Sequence, residues 1–102
     1  MGLTIVLENE TGKSLERVED PTNILHRVLP APEDTRYRCL GTIDWYGDTV
    51  FNHLQVAQFL EEWRRIAANV SGAAESDLMK VIEKMAERVA NEHHVYLKFY
   101  GD

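Results

Sequence analysis

The feature that most constrains this chain is an apolar stripe between Val56 and Val70. Val56, Phe59, Leu60, Trp63, Ile66, Ala67 and Val70 fall at i, i+3, i+4, i+7, i+10, i+11 and i+14, the signature of one helix face. The other side carries Gln55, Gln58, Glu61, Glu62, Arg64 and Arg65, with Glu61 four residues ahead of Arg65 in the favourable orientation. Asn52 and Gln55 form a capping-box variant at its start. Gly72 stands where a left-handed residue would close the helix. Trp63, if it packs inward, buries roughly 150–250 Å². This is the core helix.

The rest of the chain is arranged around it. Leu3, Ile5 and Leu7 alternate with Thr4, Val6 and Glu8, a strand with one strongly apolar face. Asn9 to Lys13 is turn chemistry, and Ser14 to Glu19 returns as a second strand. Its alternation is imperfect, which predicts a bulge or an edge position. Asp20-Pro21 reads as a helix start, Asp as cap and Pro in the first position. That short helix offers Ile24, Leu25, Val28 and Leu29 to the core, and Pro30 and Pro32 stop it. Ala31 to Thr35 is a short polar connection.

From Arg36 to Trp45 the pattern Tyr37, Cys39, Ile43, Trp45 predicts a third strand, interrupted at Leu40 and Gly41. After the core helix, Leu78, Ile82, Met85 and Val89 define a second long helix, antiparallel to the first because the connection is short. Val95, Leu97 and Phe99 form the last strand, beside the N-terminal hairpin. The order is β-β-α-β-α-α-β. Alternating strands imply a mostly antiparallel sheet of about four strands with a helical hairpin on one face, an α+β two-layer sandwich.

A chain of 102 residues with 44% apolar and 27% charged content is one soluble domain, residues 1–102. No apolar run reaches the roughly 20 residues of a membrane span. The N-terminus lacks the basic region and long apolar core of a signal peptide. A lone Cys39 forms no internal disulfide and suits a reducing compartment, so the chain reads as cytoplasmic. Its net charge is −6, and the first 35 residues carry seven acids against three bases. That argues against a nucleic-acid surface there and suits a basic protein partner, although solubility alone accounts for such a charge.

The richest surface chemistry lies in the loop Asp44, Trp45, Tyr46, Gly47, Asp48, Thr49, with two carboxylates, two aromatics and a hydroxyl. Such a cluster can grip a partner through aromatic anchors framed by charge. Its structural alternative is that Asp48 and Thr49 satisfy turn amides while Trp45 plugs the core. Asp44, Trp45, Tyr46, Asp48 and Thr49 are therefore the candidate binding residues.

The four histidines, His26, His53, His93 and His94, lack the spacing of a metal site. Strand parity turns His93 inward and His94 outward. No metal or other cofactor is expected. Cys39 has no local base and reads as a small buried hydrophobe on the third strand. Glu61 and Glu62 read as solvated ion-pair partners rather than an acid–base couple. No residue is assigned as catalytic.

The stretch DWYGDTVFNHLQ…EEWRR, the opening LTIVLENETGKSLERVED and the ending VYLKFYGD resemble small bacterial proteins, often from actinomycetes. The likeness runs along nearly the whole chain and is most specific over Tyr46 to Asn52. No activity is established for that group, so the resemblance supports the fold and brings no catalytic residues.

Three functions are weighed. The leading one is a protein–protein interaction module, in one version an immunity- or inhibitor-type protein against a basic partner. A small enzyme would need Asp44, Asp48 and His53 to converge on a pocket at the head of the core helix. A homo-oligomer subunit would use Tyr96 and Tyr100 on an open sheet face.

Overall fold

The structure, a computed structural model, describes residues 2–101. Its elements are β1 (Thr4–Asn9), β2 (Ser14–Glu19), α1 (Ile24–Val28), β3 (Asp48–Phe51), α2 (Val56–Ala67), α3 (Ala73–Asn91) and β4 (Val95–Tyr100). The four strands form one antiparallel sheet in the order β2-β1-β4-β3. The expected α+β two-layer sandwich and its element order are what the chain adopts. Among the described residues no helix is long and apolar enough to cross a membrane.

Alternation sets the two faces of the sheet. Ile5, Leu7, Leu97 and Phe99 are fully buried beneath the helices, in register across β1 and β4. Trp63, on α2, stacks on Phe59 at 5.2 Å and is fully buried. Its indole N–H donates to the Met79 carbonyl of α3 at 2.9 Å, so a large apolar ring enters the core with its polar group paired. Arg64, one residue on, meets Glu83 and Glu87, while His53, before α2, reaches the Val89 carbonyl. Early residues of one helix meet late residues of the other, which makes the hairpin antiparallel. Ile66 and Leu78 flank this core half-buried.

The irregularity expected in β2 is a bulge: Leu7 pairs with Glu16 and Glu8 with Ser14, leaving Leu15 unpaired on the edge strand. The capping box also forms. The Asn52 side chain accepts the Leu54 and Gln55 amides at 2.9 and 3.0 Å, and the Gln55 side chain accepts the Asn52 amide at 2.8 Å.

Several local expectations are corrected. The third strand is not the segment from Arg36 to Trp45 but Asp48–Phe51. The earlier segment winds through turns and a 3₁₀ turn over Leu40–Thr42, burying Leu40 and Ile43. Backbone bonds from Gly41 to Tyr37 and from Thr42 to Cys39 turn the chain every three or four residues, which no strand allows. Cys39 is accordingly half-buried in a turn.

Asp20 does cap α1, but from further away than expected. Its carboxylate accepts the Ile24 and Leu25 amides at 2.8 and 2.7 Å. Pro21 therefore lies in the approach turn, and Asn23 takes the left-handed conformation before the helix starts. Gly72 is extended, with φ −75°, and precedes α3 rather than closing α2, which already ends at Ala67.

Glu62 is the largest departure from expectation. It is fully buried, and its carboxylate accepts the amides of Cys39 and Leu40, each at 3.0 Å, and the Gln58 side-chain amide at 2.8 Å. A buried carboxylate is tolerable only with such donors. Glu61 keeps its expected exposed position, 3.9 Å from Arg65.

Candidate functional site

The loop before β3 is a tied turn. Asp44 donates its amide to Thr49 Oγ1 at 2.8 Å, and its side chain accepts the Tyr46 amide at 2.9 Å. The Gly47 carbonyl accepts the amide of Gly101 at 2.7 Å, fastening the turn to the end of β4. Two glycines permit this approach. A Cβ at Gly47 would come within 2.6 Å of the Asp44 carboxylate, and one at Gly101 within 2.3 Å of the Trp45 carbonyl.

The five candidate residues thus divide by position. Asp44 and Thr49 hold the turn together. Trp45 is half-buried and meets His26 edge to face at 5.4 Å. Tyr46 is 85% exposed on this fixed backbone. Asp48 opens β3, exposed and paired with Tyr100 in the register of the sheet.

Trp45 and Tyr46, with Pro32, are shared by two neighbouring grooves. The first, about 560 Å³, runs against His26, Leu29 and Pro30 of the α1 end. The second, about 510 Å³, runs over Glu33, Thr42, Ile43 and Asp44. Both volumes fall in the range of roughly 300–1,000 Å³ that holds ligands. Among the described residues no Lys or Arg lines either one. Two non-glycine residues in the left-handed region, Asn23 (φ 56°) and Glu33 (φ 64°), border them. Glu33 is a groove residue that reading the sequence missed. Its signal was only an acid in a Pro-containing connection, and it reaches the groove because its amide folds back to the Gly41 carbonyl at 2.9 Å.

Asp44, Asp48 and His53 do not share a groove. His53 lines a separate one of about 270 Å³ with His93 and His94, and its ring lies 5.7 Å from that of His93. His93 is exposed, not inward. Strand β4 begins at Val95, and a left-handed His94 (φ 61°) breaks the parity on which that expectation rested. His94 pairs with Glu10 at 3.2 Å. Among the described residues no group of three or more His, Cys, Asp or Glu is placed to hold a metal ion.

Burial, and then the Glu62 carboxylate, push the Cys39 thiol up to about 11, away from the low values that make reactive thiolates. On the open sheet face Glu8 is buried between two partners. Tyr100 donates its hydroxyl to one carboxylate oxygen, and Lys98 Nζ lies 2.9 Å from the other. Burial raises the Glu8 pKa, but the hydrogen bonds from Tyr100 and Lys98 outweigh it and hold the group below the ordinary carboxylate range. Tyr96 and Tyr100 lie half-buried on this face.

Comparison with protein families, with curated proteins and with solved structures finds no match to this chain.

Proposed function

We propose that this protein is a small interaction module that binds a protein partner through the Tyr46 loop. The observation that carries the reading is an aromatic side chain 85% exposed on a backbone held by four hydrogen bonds. An exposed tyrosine on a mobile loop costs ordering entropy when it binds, and a tied turn has already met that cost. Tyrosines so placed are frequent anchors of protein interfaces. The net charge of −6 favours a basic partner by steering and complementarity. An inhibitor- or immunity-type role in the cytoplasm is the form of this reading that such charge suits best.

The test is site-specific crosslinking in the native host. A photoreactive phenylalanine derivative in place of Tyr46 should capture one discrete partner, and the same group at exposed Val81 on α3 should not. Absence of any adduct at position 46, or equal adducts at both positions, contradicts the proposal.

A further inference from the structure

We infer that the grooves on either side of Trp45 and Tyr46 take an extended, proline-containing basic segment of the partner protein, a deepening that rests on the interaction reading above. Three observations lead there. The first is the lining, where Trp45 and Tyr46 face Leu29, Pro30 and Pro32. A prolyl ring stacks well on such aromatic and prolyl surfaces, and a polyproline II segment arrives already extended, with little conformational entropy to lose.

The second is a pair of donors without a partner among the described residues. The Trp63 indole N–H is bonded inside the core, whereas neither the Trp45 indole N–H nor the Tyr46 hydroxyl finds a partner among the described residues. No buried side-chain nitrogen or oxygen there lacks a hydrogen bond. Trp45 itself is half-buried. A polyproline II backbone makes no internal hydrogen bonds and presents bare carbonyls to such donors.

The third is charge. Glu33 and Asp44 line the second groove, and among the described residues no Lys or Arg lines either groove. The first groove, by contrast with the acidic second, carries only His26 among the titratable side chains of the described residues other than Tyr46. A segment spanning both would seat its prolines against Trp45 and direct an arginine or lysine toward Glu33 and Asp44. An acidic or phosphorylated segment meets repulsion there.

The experiment titrates fluorescein-labelled peptides into the full chain and follows anisotropy, with the Trp45 indole signal read by NMR. The probes are APPRPPRA, its glycine counterpart AGGRGGRA and its charge-reversed counterpart APPEPPEA. Saturable binding of the first, with the other two weaker by about tenfold or more, is expected. Tyr46→Ala and Glu33→Gln should each weaken it, Tyr46→Ala by about tenfold, while circular dichroism confirms that both variants are folded. No saturation up to about 1 mM, equal binding of all three peptides, or indifference to Tyr46→Ala overturns the inference. If the peptides fail while crosslinking at position 46 still captures a partner, the partner's chemistry is wrong and the interaction reading stands. If both fail, both are wrong.

Discussion

Glu62 of α2 holds the backbone amide of Cys39 between its two carboxylate oxygens, at 3.0 and 3.1 Å, across 23 residues of sequence. The same carboxylate takes the next amide, that of Leu40. The core helix thereby fixes the start of the 3₁₀ turn, and this turn leads directly into the wall of the candidate site.

Removing that carboxylate should loosen the segment before it unfolds the domain. Glu62→Leu leaves the buried Leu40 amide and the half-buried Cys39 amide without acceptors and should cost about 2–4 kcal/mol in urea melts. Hydrogen exchange at Cys39 and Leu40 should accelerate more than exchange in β1. Glu61→Ala, one residue away but exposed, should change stability by less than about 0.5 kcal/mol. Equal effects of the two substitutions would contradict the assignment.

This pair shows where the sequence was legible and where it was not. Two adjacent glutamates on the polar side of an amphipathic helix look alike, and what separates them is a contact with a distant turn. The helix itself was legible, because its apolar spacing records which face is buried. The segment from Pro30 to Trp45 was not, since its backbone donors are satisfied by Glu62 and by local turns rather than by a ladder. Tyr46 stood out through its neighbours in the loop. Glu33 did not, because its place in the groove depends on a backbone bond to Gly41.

Trp63→Ala should cost about 3–5 kcal/mol, since it opens a cavity against Phe59 and Phe99 and strands the Met79 carbonyl. Urea denaturation of the variant measures this directly. A loss under about 1 kcal/mol would place Trp63 outside the core.

The Cys39 thiol should be slow toward alkylating and disulfide reagents. With a pKa of about 11, about one thiol in a thousand is ionised at pH 8, against roughly one in four for an ordinary cysteine. Modification by iodoacetamide, followed by mass spectrometry over a pH series, should show the rate still rising above pH 9. A rate half-maximal near pH 8.5 would refute the environment described here.

Glu8 gives the fold an acid-sensitive contact. Its pKa is lowered in the folded state, so its stabilisation is present above the ordinary carboxylate value of about 4.3 and is lost as pH falls through the lower folded value. Lys98 is shifted up by its bond to Glu8, so the same contact persists below the ordinary lysine value and is lost only in strong alkali. Glu8→Gln should lower stability by about 1–2 kcal/mol at neutral pH, with the difference from the native chain shrinking toward pH 3. A difference independent of pH would show that the charge of Glu8 contributes nothing.

The central claim is that Tyr46 serves a partner and not the fold. The direct measurement is a urea melt of Tyr46→Ala beside its affinity for the partner captured at that position. Stability should change by no more than about 0.5 kcal/mol, while affinity should fall by about 2 kcal/mol or more. A variant that is destabilised yet binds the partner as tightly as the native chain would make the loop scaffolding and contradict the claim.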